Sequence, residues 1–193
     1  MGIAFIRSWK AVAFRGGAGL LFGLVTLVGS GFTLPGLALL FGLYTLLDGA
    51  FAVLAGSRTG SLEVGWLMDG LLGMAIGAIV LLWIGMTLPT LVGLIAFWSV
   101  ASALLEMLAA MRLRNEVPGE LSLTFAWVGS LVLGVLLLFW PSVRTSILGV
   151  VLASYALLFG ASMLALALRL RKLAARFEST RVHAWRIGRH GRA

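Results

Sequence analysis

The chain carries one apolar helical hairpin written three times. Arg15-Gly16-x-x-Gly19-x-x-x-Gly23 superimposes without a gap on Asp69-Gly70-x-x-Gly73-x-x-x-Gly77, and in the same register Pro35 falls on Pro89. A second ungapped register places Gly19 and Gly23 on Ser130 and Gly134, and Tyr44-Thr45-Leu46-Leu47-Asp48-Gly49 on Tyr155-Ala156-Leu157-Leu158-Phe159-Gly160. A repeat of this kind constrains the fold more than any local propensity, because each copy needs its neighbours to bury its faces.

The copies are too apolar for a soluble domain. Hydrophobic residues make up 61% and charged residues 11% of the chain, and the mean hydropathy is +1.06. The apolar residues sit in runs of about 20, the length of helix that crosses about 30 Å of hydrocarbon. Lipid offers the backbone no hydrogen-bond partner, so such runs become helices. None alternates as a barrel strand would. The expected fold is all-α: a polytopic bundle of six transmembrane helices in three hairpins. The spans are about 12–32, 35–56, 64–86, 89–111, 121–140 and 144–168, grouped as repeats of about 12–56, 64–111 and 121–168. A membrane domain over 1–172 is followed by a basic tail, 173–193. Pro35 and Pro89 should open the second and fourth spans, where a missing N–H costs nothing. Pro141 comes early in its repeat, so the third turn should be built differently.

Charge sets the orientation. Six spans put fourteen of the fifteen lysines and arginines on one side, leaving Arg144 alone on the other. The positive-inside rule then places both termini in the cytoplasm. The N-terminal Arg7 and Lys10 precede a stretch too long for a signal peptide, which reads as a retained first span. The net charge of +8 is read as this orientation signal plus a tail attracted to anionic headgroups, and not as nucleic-acid binding. Val182, Trp185 and Ile187 alternate with arginines, as in a segment lying on the inner leaflet. A homo-oligomer or a membrane-protein partner fits the tail as well.

Helices in lipid associate through small residues. Gly16, Gly19 and Gly23 share one face, as do Gly70, Gly73 and Gly77, and Ser130 and Gly134 repeat the pattern. These faces are expected to bring spans one, three and five together around a pseudo-threefold axis. Trp9, Trp66, Trp127 and Trp140 fall near span ends, at the depth of headgroups. Trp83 and Trp98 read as packing residues.

Four ionisable residues fall within the spans: Arg15, Asp48, Asp69 and Glu106. Charges in hydrocarbon are expensive, so these form the candidate site. Arg15 and Asp69 occupy equivalent positions, with Ala126 the neutral third member, and an Arg15–Asp69 ion pair is expected. Asp48 reads as a buried, paired or protonated carboxyl, or as one packed on Tyr44. Glu106 lies near a span end, where solvation is expected. Enzyme signatures such as H-E-x-x-H, G-x-S-x-G and the P-loop are missing. His183 and His190 lie in the tail and have no partners for a metal site. No catalytic residue, cofactor or metal is expected.

The three Gly-rich hairpins, the proline in each turn, the Y-x-L-L-x-G segments and the closing Leu166-Ala167-Leu168-Arg169-Leu170-Arg171 resemble the HdeD family of bacterial inner-membrane proteins over about residues 12–172. That resemblance implies a non-enzymatic membrane protein contributing to acid or envelope stress tolerance, and it carries no catalytic or binding residue over to this chain. The Arg-rich tail, Arg176 to Ala193, departs from the family. A structural or assembly subunit of a membrane complex and a small transporter or channel are the alternative readings.

Overall fold

The computed structural model describes residues 9–29, 33–57, 63–83, 85–114 and 122–190, with backbone alone at 55, 63, 109, 112–114, 122–123 and 173–190. Arg7, Arg58 and Arg192, which enter the charge argument, lie outside them, as do the side chains of Val182, Trp185 and Ile187. The described residues form six helices: α1 (Trp9–Val28), α2 (Leu34–Gly56), α3 (Glu63–Leu82), α4 (Leu88–Arg114), α5 (Ser122–Phe139) and α6 (Thr145–His190). Five are long and apolar enough to cross a membrane, and α5 contributes a shorter apolar stretch, Thr124–Phe139. The protein is an all-α polytopic membrane bundle built from three hairpins.

The turns obey the repeat. The carbonyls of Thr33, Thr87 and Arg144 accept the first helical bonds of α2, α4 and α6, from Leu37, Leu91 and Leu148. All three pairs are equivalent under the registers read from the sequence. Pro35 and Pro89 sit in the first turns, where no N–H is needed. Pro141 instead lies in the turn ahead of α6, so Arg144 opens that helix. Gly85, between α3 and α4, has φ = 84°, a conformation glycine adopts without strain.

The helices close a ring in chain order, and each of the six neighbouring pairs is in contact. The tightest interfaces run between hairpins, α1 with α6 and α2 with α3, and not within them. This corrects the expected meeting of spans one, three and five: each glycine face packs on the second helix of the adjoining hairpin. A Cβ on Gly16 would lie 2.9 Å from the Gly160 carbonyl oxygen and one on Gly160 2.7 Å from that of Gly16, while Gly19 faces Gly160 Cα and Gly23 faces Ala153 and Leu157. At the repeat-related interface, Gly70 and Gly49 meet in the same way, Gly73 lies on the Thr45 carbonyl and Gly77 on Gly42. The third interface, α4 with α5, keeps only Gly134, against Val100 and Ala96, because Trp127 stands where the other repeats have Gly16 and Gly70.

The even-numbered helices fill the centre with layers of equivalent residues. Leu37, Leu91 and Leu148 form one layer and Phe41, Ile95 and Leu152 the next, all at most 1% exposed. Tyr44, Trp98 and Tyr155 form a third, with the Trp98 ring edge-on to Tyr44 at 6.2 Å and to Tyr155 at 6.5 Å. The next layer holds Asp48, Ser102 and Phe159, and the one below it Ala52, Glu106 and Met163, all buried. Trp98 is thus a core residue. Trp83 is 53% exposed at the end of α3 and does not pack as expected.

Candidate functional site

The four ionisable residues of the spans converge on one point. Arg15 donates from Nε to Asp48 Oδ1 at 2.6 Å and from Nη2 to Asp48 Oδ2 at 2.9 Å, a bidentate pair. The same Nη2 reaches Asp69 Oδ2 at 2.6 Å and Glu106 Oε1 at 3.5 Å. Arg15, Asp48, Asp69 and Glu106 are each 5% exposed or less. Glu106 is therefore buried, against the solvated reading of the sequence. Its other oxygen, Oε2, accepts from Ser130 Oγ at 3.3 Å, and Ser130 shares a hydrogen bond of 2.9 Å with the Tyr155 hydroxyl. Every helix of the ring supplies one member: Arg15, Asp48, Asp69, Glu106, Ser130 and Tyr155.

The repeat explains how the acids reach the guanidinium. Arg15, Asp48 and Asp69 each precede a glycine of a close helix crossing: Gly16, Gly49 and Gly70. Where backbones approach that closely, neighbouring side chains of short reach can meet. A planar guanidinium with five donors can hold several carboxylates at once, which an ammonium cannot do with the same geometry. Two rings flank the charge. Arg15 Cζ lies 5.5 Å from the Trp66 ring and 5.2 Å from that of Phe159, within the range of cation–π attraction. Trp66 is thus buried beside the guanidinium. Trp9 fits the interfacial reading, with Lys10 and Arg171 both over its ring.

Depth follows from helix rise. Arg15 lies about 9 Å along α1 from Trp9, at about 1.5 Å per residue. The cluster thus occupies the half of the bundle nearest the start of α1 and the exit of α6. A cavity of about 10 Å³ touches it, bounded by Arg15, Asp69, Glu106, Trp66, Gly65 and Leu105. That is room for about one water. Asp69 Oδ1 and the Tyr44 hydroxyl are buried without a hydrogen-bond partner among the described residues, and Asp69 borders this cavity. Among the described residues no three His, Asp or Glu side chains are placed to hold a metal ion; the carboxyls point at the guanidinium.

Sequence reasoning named Arg15, Asp48, Asp69 and Glu106 as one candidate charge cluster and singled out the Arg15–Asp69 pair, but it did not foresee that Asp48 would be the bidentate partner of Arg15 or that Glu106 would be buried. It also overlooked Tyr155 as a polar member. The signal was present in the alignment of Tyr155 with Tyr44, one layer from Asp48. Tyr155→Phe should cost about 0.5–1.5 kcal/mol, because Ser130 keeps Glu106 and the Ala126 carbonyl as partners. Unfolding in detergent micelles measures this, and a loss above that range would mean that the hydroxyl holds more than Ser130.

A short repeat of unknown function, DUF308, matches the chain three times, over residues 14–81, 68–129 and 128–180. The chain belongs to the DUF308 repeat family. The starts of the first two matches are separated by the same interval as Arg15 and Asp69, or Pro35 and Pro89. No curated protein and no solved structure matches the chain.

Proposed function

We propose that this DUF308 protein is an HdeD-like, non-enzymatic protein of the bacterial inner membrane, with both termini cytoplasmic, that contributes to acid tolerance. The observation that carries this reading is the charge count of the cluster. One guanidinium faces three buried carboxyls. If all were ionised, two negative charges would lack a cation in a medium that penalises uncompensated charge heavily. Proton uptake removes that surplus, loosens the carboxyls from Arg15 and alters the helix packing they hold together. The positive-inside bias supports a cluster near the cytoplasmic face, where a fall in internal pH would act on it.

Survival of cells after acid challenge tests the reading. Variants Asp48→Asn and Asp69→Asn, expressed at wild-type level, should lose the protection that the wild-type chain confers. Equal protection by both variants would refute the cluster mechanism.

A structural or assembly role is the second reading. It is supported by α6, which continues as one helix to His190, well past the last apolar residues of the bundle. Co-purification of a partner that depends on residues 173–193 would favour it. Transport ranks below both. The cavity at the cluster has room for about one water, and the ring layer of Tyr44, Trp98 and Tyr155 lies next to the Asp48 layer. Ion flux in proteoliposomes would reverse that order.

A further inference from the structure

The third hairpin differs from the others in a way the acid-cluster reading does not use. Ala126 and Phe159 replace the ionisable residues that the first repeat has at the equivalent positions, Arg15 and Asp48. Beside them a groove of about 690 Å³ opens between α5 and α6. Phe125, Val132, Leu136 and Leu158 wall it, each between 42% and 73% exposed, and the buried rings of Tyr155 and Phe159 form part of its floor. It runs along α6 from Val151 to Arg169, about 27 Å at the helical rise, close to the thickness of a hydrocarbon core. Arg169 lies about 36 Å from the start of α6 by the same rise. That places its side chain at headgroup depth, at the end of the bundle where Arg171 covers Trp9.

We propose that this groove binds one anionic phospholipid, its acyl chain along α5 and α6 and its phosphate at Arg169. The groove and a lipid share a two-part character: an apolar channel long enough for an acyl chain and a cation at its headgroup end. A second helix is a poorer fit. Helices associate in lipid through small residues that let backbones approach; Gly129, Ser162 and Ala165 lie in this groove, but the larger, exposed Phe125, Val132, Leu136 and Leu158 stand around them and hold a second backbone off. The lipid would lie against Tyr155, which shares a hydrogen bond with Ser130, and against Phe159, which flanks the Arg15 guanidinium. Its occupancy would therefore bear on both sides of the buried cluster.

Native mass spectrometry of the full chain, titrated with phosphatidylglycerol and phosphatidylcholine, tests this. The wild-type chain should retain phosphatidylglycerol about fivefold more strongly, the factor that one juxtamembrane arginine supplies. Arg169→Gln should abolish that preference, whereas Arg171→Gln should keep it. Val132→Trp and Leu158→Trp should weaken retention of both lipids by filling the groove, and Leu71→Trp, on an exposed position of α3, should not. Equal retention of the two lipids by the wild-type chain would overturn the proposal, as would unchanged retention in both Arg169→Gln and Val132→Trp. A dimer that retains no lipid and that Val132→Trp disperses would also overturn it, by assigning the groove to a second copy.

Discussion

Arg15→Met will destabilise the bundle by about 3–5 kcal/mol, the cost of breaking a buried ion pair from one side. The substitution keeps most of the apolar volume and removes the only cation hydrogen-bonded to Asp48, Asp69 and Glu106 among the described residues. The carboxyls are then left with one another in a buried site. Reversible unfolding of the chain in mixed micelles measures the effect. Arg15→Lys should recover only part of it, because a single ammonium cannot chelate both oxygens of Asp48 and still reach Asp69. Adding Asp48→Asn, Asp69→Asn and Glu106→Gln to Arg15→Met should restore much of the stability, because a fully neutral set carries no stranded charge. The combined variant would then be far more stable than the sum of the single losses implies, the signature of residues in one network. An Arg15→Met chain within about 1 kcal/mol of wild type would show that the cluster is not held by its charges.

The second large effect belongs to the helix crossings. Gly70→Val should destabilise by about 3 kcal/mol, at the upper end of overpacking costs. A Cβ at Gly70 would lie 2.6 Å from the Gly49 carbonyl oxygen and 2.8 Å from the Val53 nitrogen. Both are backbone atoms of α2, so no side chain can swing aside and the helices must separate. Separation also carries Asp69 away from Arg15, since Asp69 and Gly70 are consecutive. Gly70→Val should therefore reduce acid protection as well as stability. Gly17→Ala is the control: a Cβ there meets nothing within 4 Å, so helix propensity should make it neutral or stabilising by up to about 1 kcal/mol. If Gly70→Val and Gly17→Ala unfolded at the same denaturant concentration, the close α2–α3 crossing would be wrong.

These two predictions draw on different levels of the molecule. Six apolar runs, their grouping into three hairpins and the small-residue faces were legible in the chain, because lipid leaves the backbone no alternative to helix and equivalent positions could be matched without gaps. Which faces meet was not legible. The Gly16 and Gly70 stripes could have packed on one another across an axis; instead each packs on the partner stripe of the adjoining hairpin, around Gly160 and Gly49. A small-residue face states that a backbone will come close and does not state whose.

The same division holds for the charges. Composition alone marked Arg15, Asp48, Asp69 and Glu106 as the residues that hydrocarbon would penalise, and the register of the first two repeats paired Arg15 with Asp69. Glu106 looked solvated because depth along one helix was the only measure in hand. Its burial depends on the closed ring, which sets Ser130 of α5 and Arg15 of α1 against it from two sides. Local chemistry thus determined which residues would be costly to bury. The packing of all six helices decided that they would share one site, because a charge in lipid is stabilised only by partners that distant segments supply.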